Sequence, residues 1–339
     1  MKIALNTPMY NKEIEEAALG ALRNERYVLG ESVWKFEEAF AKYIGVDYAI
    51  SCSSGTMAFW LILNSLKAKK VLVPSLTFHT VASVVKLLRR ELVFGDVNLG
   101  DACLYKSIPD GLSVATHLYG NFCNVAHLKE GVVEDCSQAA GLEWRGKKAG
   151  SFGNAGFFSL YTTKNLSCLG DGGVITTDDE KLAKEARMIG DCGRNSEGEH
   201  VRVGITSRLN TVNAAIALVQ LKHLDEWNQK RMALRDRYME KLPPEVKVLS
   251  NGVVHQMVAR VKGRDKLAKY LRQNGIETGI HYKVPLHMQK PLYRKGLTLP
   301  NAEVLCGEVL SLPISPSLTF REVDYVCEKV NEWYGSERR

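Results

Sequence analysis

The sequence predicts an α/β protein: a large domain built on a mostly parallel, seven-stranded, doubly wound sheet flanked by helices, followed by a small α+β domain. Three observations carry this. Strand-like and helix-like segments alternate over residues 46–190, the pattern of crossover connections that keep strands parallel. Short apolar runs end in polar groups: Gly131-Val132-Val133 leads into Glu134-Asp135, and Ala155–Tyr161 stops just short of Lys164. Parallel strands buried on both faces read as continuous apolar runs, and they deliver functional groups at their carboxyl ends. The pair Pro243-Pro244 ends a helical stretch and marks the boundary between residues 1–242 and 243–339. A chain of 339 residues is long enough for both units.

The elements follow in order. Lys12–Glu25 has helical spacing, with Ile14, Ala17, Ala18, Ala21 and Leu22 on one side, and Ser32–Tyr43 repeats the pattern until Gly45 caps it. Tyr48–Ser51 is a strand that enters Cys52-Ser53-Ser54-Gly55-Thr56, and Met57–Leu66 is the next helix. Val71–Val73 and Leu92–Phe94 are strands, with a helix opening at Ser75–His79 and running through Leu88 between them. Ser113–Ala115, Val132–Val133, Ala155–Ser159 and Gly173–Thr177 complete the seven. Val125–Leu128 is a short helical turn, and Asp178–Gly190 is a helix with an acidic first turn, as the helix dipole favours. Arg208–Trp227 and Gln229–Lys241 read as two helices. The second unit reads as strand Val254–Val261, helix Arg264–Asn274, strand Glu277–His281 and closing helix Thr319–Tyr334.

Composition narrows the function classes. Hydrophobic residues make up 45% and charged residues 24%, ordinary values for a soluble domain. The longest apolar run, Met57–Leu63, falls far short of the roughly 20 residues of a membrane span. The amino-terminal MKIALNTPMYNKEIEE turns polar too early for a signal peptide. Eight cysteines carry no C-x-x-C pair, so no metal centre is expected and a reducing cytoplasm is. The net charge of +7 is spread out except at Lys67–Lys70 and the Arg338–Arg339 tail. It suits a small anionic substrate, and no nucleic-acid motif accompanies it.

The chemistry concentrates in EDCSQAAG (Glu134–Gly141) and NAGFFSLYTTKN (Asn154–Asn165). A strand-end carboxylate, Asp135, and a lysine, Lys164, one strand later suit pyridoxal phosphate. The lysine would form a Schiff base, and the carboxylate would keep the pyridine nitrogen protonated. The Ser/Gly/Thr turn before Met57 leaves unpaired N–H groups at a helix start, a ready phosphate site. Taken singly, each is also what a solvated turn or a capped helix carries. His281 and His287 in HYKVPLH could pass for a metal pair, but no third ligand is spaced to join them.

Taken in order, VLGESVWKFEEAFAKYIGV, SSGTMAF, VPSLTFHT, HLYGNFCNV, EDCSQAAG, SFGNAGFFSLYTTKNL, GDGGVITT, AAIALVQLKHLDE, GIHYKVPLH and VLSLPISP resemble the DegT/DnrJ/EryC1/StrS family of sugar aminotransferases. The resemblance covers nearly the whole chain and implies the type I pyridoxal phosphate fold. It implies that Lys164 is the Schiff-base lysine and proton carrier, that Asp135 partners the pyridinium, and that Gln138 bonds the cofactor hydroxyl. Gly55, Thr56 and Ser159 would hold the phosphate, Phe78 would stack on the ring, and His281 and Tyr27 would lie near the sugar. It further implies a homodimer with shared active sites, and transfer from glutamate to a nucleotide-linked keto sugar for amino-sugar or surface-polysaccharide biosynthesis.

Two other readings share the scaffold. Sugar dehydratases of this fold carry histidine at the lysine position, which Lys164 opposes. A regulatory member without turnover is opposed by the intact Asp135, Gln138, Ser159 and Lys164. The sequence departs from the family at Gly204-Ile205-Thr206-Ser207-Arg208, where Thr206 replaces the asparagine that reaches the partner's phosphate. The stretch LNSLKAKKVLVPS also lacks the usual acidic turn, and residues 96–117 are trimmed.

Overall fold

The computed structural model describes residues 1–128 and 131–337; the Arg338–Arg339 tail lies outside them. The chain runs α1 (Lys12–Asn24), α2 (Glu31–Ile44), β1 (Tyr48–Cys52), α3 (Gly55–Ser65), β2 (Lys70–Pro74), α4 (His79–Leu87), β3 (Glu91–Gly95), β4 (Leu112–Thr116) and β5 (Val132–Asp135). It continues through β6 (Glu143–Trp144), β7 (Lys147–Lys148), β8 (Ala155–Ser159), β9 (Gly173–Thr177), α5 (Glu180–Gly190) and α6 (Thr211–Lys241). The last part holds β10 (Lys247–Val248), β11 (Met257–Arg260), α7 (Arg264–Gln273), α8 (Pro300–Glu308), β12 (Val309–Leu312) and α9 (Phe320–Glu337).

The main sheet has the order β1-β9-β8-β5-β4-β2-β3. Only β9 runs against its neighbours, pairing antiparallel with β1 and β8; the remaining pairs are parallel. Both faces are buried, and neighbours along a strand divide between them. Phe157 joins the cluster under α3 and α4 with Ile50 and Ile175, whereas Phe158 joins Phe36, Phe40 and Val174 on the other side. That two-sided burial is why the strands read as unbroken apolar runs. A third cluster packs β11, β12, α7 and α9 against Ile3 and against Leu234 and Tyr238 of α6.

Local signals act as expected at several ends. Gly45 takes φ 83° after α2, a left-handed cap that glycine adopts without a Cβ clash. Asp179, not Asp178, caps α5 through the Lys181 and Leu182 amides. The helix expected from Ser75 begins only at His79, because Ser75 still pairs its N–H with the Gly95 carbonyl at 2.8 Å.

Three expectations are corrected. Arg208–Trp227 and Gln229–Lys241 form one helix of 31 residues from Thr211. Asn228, between the two expected ranges, is buried within it and bonded to Asn165 and the Ala140 carbonyl. Glu277–His281 is not a strand: it makes a single bridge, Gly279 to Ser311. In the stretch Val254–Val261 only Met257–Arg260 is strand, since Val254 adopts φ 49° and His255 turns its N–H to the Tyr119 carbonyl. Strand β12 and helix α8 had no expectation attached to them. No described helix is long and apolar enough to cross a membrane.

Candidate active site

The carboxyl edge of the sheet gathers the ends of β1, β4, β5 and β8, the place where open α/β sheets bind ligands. A cavity of about 380 Å³ opens there. Gly55, Thr56, Phe78, Asp135, Gln138, Ser159, Lys164 and His281 all line it. Tyr27 does not. It is 68% exposed in the link between α1 and α2, where its carbonyl accepts from Thr211 N–H.

Asp135 ends β5 and is buried. Its Oδ1 accepts from Ser137 N–H at 3.0 Å, and no other residue described donates to it. Burial raises its pKa, and Ser137 and Lys164 pull it back. Lys164 sits on a turn after β8, its N–H closed onto the Tyr161 carbonyl at 2.8 Å. Its side chain, though partly open to the cavity, lies deep enough that burial pushes its pKa down to about 8 against the pull of Asp135. Gln138 accepts from Tyr119 N–H at 2.7 Å and donates weakly to the Tyr282 hydroxyl at 3.4 Å.

The other end of the cavity is built for an anion. Ser54 caps α3 by accepting from Met57 N–H at 3.1 Å, which leaves the Gly55 and Thr56 amides without acceptors among the described residues. Those amides sit at the positive end of the helix dipole. The Ser159 hydroxyl touches only Tyr161 N–H, at 3.4 Å, and the Thr56 hydroxyl bonds Thr80 at 3.2 Å. Thr116 Oγ1 and Gln256 Oε1, both from cavity-lining residues, are buried without a partner. Buried polar atoms are rarely left so, and a polar ligand would satisfy them.

The histidines differ in role. His281 pairs Nδ1 with the Ser311 hydroxyl at 2.8 Å, and burial, aided by Lys164, brings its pKa down to about 4. His287 is held between Ser75 at 2.6 Å and Glu303 at 3.2 Å, away from the cavity lining. Sequence reasoning passed over His255, Tyr282 and Glu134. Tyr282 adjoined a named residue in HYKVPLH, but His255 had only a strand-like context. Glu134 is fully buried and accepts from Gly150, Phe152 and Gly153 N–H and from His117 Nε2. His117 Nδ1 accepts from Cys123 N–H, so Nε2 carries the proton. With Cys136 these two make the one cluster of metal-ligand type among the described residues. Its histidine and carboxylate are already spent on these bonds.

A buried carboxylate, a lysine whose pKa burial lowers and free amides at a helix start thus meet on the carboxyl edge of an α/β sheet. The chain belongs to the DegT/DnrJ/EryC1/StrS aminotransferase family, whose pattern it matches over residues 8–331. It is 35% identical to the dTDP-3-amino-3,6-dideoxy-alpha-D-galactopyranose transaminase of Aneurinibacillus thermoaerophilus, covering 96% of each chain. It is 32% identical to the pleiotropic regulatory protein of Geobacillus stearothermophilus, covering 92% of each. Among solved structures it resembles DesV of S. venezuelae in complex with a ketimine intermediate: TM-score 0.90, 32% identity, covering 95% of this chain and 94% of that one.

Proposed function

We propose that the protein uses pyridoxal phosphate to move an amino group from L-glutamate onto a nucleotide-linked keto sugar. The observation that carries this is the meeting of Lys164, Asp135 and the Gly55–Thr56 amides in one cavity. The named dTDP-sugar transaminase relative supports the substrate class. The donor set fits the cofactor: two free amides and the Ser159 hydroxyl for a phosphate, a carboxylate for a pyridinium, and an amine for an aldehyde.

When bound, pyridoxal phosphate supplies the electron sink that lets a carbon–hydrogen bond next to nitrogen ionise. Lys164 would hold it, and its free Nζ would be the base that carries a proton from one carbon to another. A pKa of about 8 leaves part of that amine unprotonated near neutral pH. Asp135 would keep the proton on the ring nitrogen. Gln138 would bond the ring hydroxyl through Nε2, and Phe78 would offer an aromatic face. His281 lies on the sugar side. Tyr27, outside this chain's cavity, reaches a substrate only across a homodimer interface. Exposed Val203 (94%) and Val201 sit on the loop before Thr206 and suit such an interface. Eight free thiols suit a reducing cytoplasm.

Lysine at 164 opposes the dehydratase reading. The name of the Geobacillus relative keeps regulation without turnover as the rival, and turnover decides between them. Purified protein loaded with pyridoxal phosphate should convert glutamate to 2-oxoglutarate when given a nucleotide-linked keto sugar, and mass spectrometry should find the amino sugar. Lys164→Ala should retain the fold and lose this activity, the visible cofactor band and borohydride fixation. Normal turnover by that variant would sink the assignment.

A further inference from the structure

His255 is a fully buried histidine that lines both the main cavity and an adjoining one of about 90 Å³. Its tautomer follows from a chain of bonds. Asn228 Nδ2 donates to the Ala140 carbonyl at 2.9 Å, so Asn228 Oδ1 is an acceptor. Asn165 Nδ2 donates to that oxygen at 2.8 Å and to the Val253 carbonyl at 3.1 Å, which fixes the Asn165 amide. Asn165 Oδ1 therefore faces His255 Nδ1, 3.0 Å away, and Nδ1 must carry the proton. Burial, with Lys164 and Arg231 adding to it, holds the ring neutral by pushing its pKa well below the usual value. Nε2 is then a bare lone pair with no partner among the described residues, and it is the only polar ring atom left for the cavity.

The cavity lining holds one cationic side chain, Lys164, whose Nζ makes no hydrogen bond with the described residues. Asn165, which sets the ring, is the next residue in the chain. An acceptor without a donor and a donor without an acceptor thus face the same cavity. We propose that His255 Nε2 is the acceptor that receives the Lys164 amine when it is free and orients it. On release, one N–H of Lys164 would turn to Nε2 and leave the nitrogen lone pair for the reacting carbons. His255 is a positioning residue in this role. The role rests on Lys164 being the proton carrier.

Two variants split the ring's two contacts. His255→Asn keeps a donor where Nδ1 meets Asn165 and removes the acceptor at Nε2; His255→Gln restores a polar group at Nε2 and gives up the link to Asn165. In cofactor-free protein, the pH midpoint for labelling Lys164 with an amine-reactive reagent should fall in His255→Asn, because a bonded acceptor favours the ammonium. His255→Gln should stay near wild type. In the loaded enzyme, kcat of His255→Asn should drop about tenfold, the scale of one hydrogen bond to a charged group, with KM little changed; His255→Gln should recover much of it. An unchanged His255→Asn, or equal losses in both variants, would overturn the proposal and leave His255 as packing around Asn165. The ¹⁵N shifts of the wild-type ring give a check that needs no variant: a proton on Nε2 would overturn it outright. Normal turnover by Lys164→Ala would instead sink the assigned function and leave the labelling result standing.

Discussion

A Cβ atom built on Gly55 would stand 2.8 Å from the Ser159 Cβ and 3.1 Å from its Cα, so α3 begins in direct contact with the end of β8. That closeness puts two free amides and a hydroxyl around one point. Gly55→Ala should force Ser159 aside, a displacement worth about 1–3 kcal/mol, while alanine at a helix start keeps α3 intact. Pyridoxal phosphate titration by absorbance should therefore show at least about tenfold weaker binding, equivalent to about 1.4 kcal/mol. Unchanged affinity would move the phosphate elsewhere.

Asp135→Asn keeps the shape of the side chain and removes its charge. The ring nitrogen should then lose its proton, so kcat should fall by more than about tenfold, or about 1.4 kcal/mol of barrier, with cofactor binding less affected. A smaller loss in a steady-state assay would mean that Asp135 has another partner.

Lys164 makes a pH prediction whose sign is fixed by burial. Its folded pKa is about 8 and its unfolded reference is 10.5, so between these values the unfolded chain binds more protons. Stability of the cofactor-free protein should rise with pH through that window from this group. Urea melts of Lys164→Met should lack that increment, and at pH 7 the variant should be the more stable protein, since no ammonium is buried. A wild type that gains nothing relative to Lys164→Met between pH 8 and pH 10 would place the amine in water.

Glu134 works in the opposite direction. Burial alone would raise its pKa, but His117 and the Gly150 and Gly153 amides together bring it below 4.5. Its stabilising contribution is present above the unfolded value and lost as pH falls through the lower folded one. Glu134→Gln would turn a donor toward two of the four groups that now donate to it. Unfolding free energy at pH 7 should drop by about 3 kcal/mol, and acid unfolding should shift upward in pH. Little change in a urea melt would mean that the strand end rearranges to accept an amide.

Glu134 and Asp135 also mark what the sequence could tell. Adjacent residues of a strand point to opposite faces, so one carboxylate is tied down by backbone amides and the other lines the cavity. A place at the strand end points to Asp135, and the family resemblance agrees, but nothing in the string Glu-Asp shows that Glu134 is the one tied down by amides. The seven strands were legible because burial on both faces leaves no polar residue to break an apolar run, as in Phe157-Phe158. Helix α6 continues through Asn228, between the two ranges expected, because Asn228 finds its partners, Asn165 and the Ala140 carbonyl, far away in sequence. His255 was invisible for the same reason. Its ring partner, Asn165, lies 90 positions upstream, and a histidine between Val254 and Gln256 carries no local signal.

Thr206 carries the last prediction, about assembly. Its hydroxyl lies 3.2 Å from the Cys192 sulfur, on a loop bridged to Asp191 and outside this chain's own cavity. An asparagine there in related proteins would reach a partner's phosphate, and threonine is shorter with one hydroxyl in place of an amide. The protein should be a homodimer that holds its cofactor loosely. Light scattering should give about twice the 37.8 kDa chain mass. Thr206→Asn should tighten pyridoxal phosphate binding by about 1 kcal/mol, the net value of one hydrogen bond. A monomer with full activity would refute the shared site. An unchanged dissociation constant in the asparagine variant of a proven dimer would refute only the reach of position 206, because the exposed Val201 and Val203 could still form the interface without touching the phosphate.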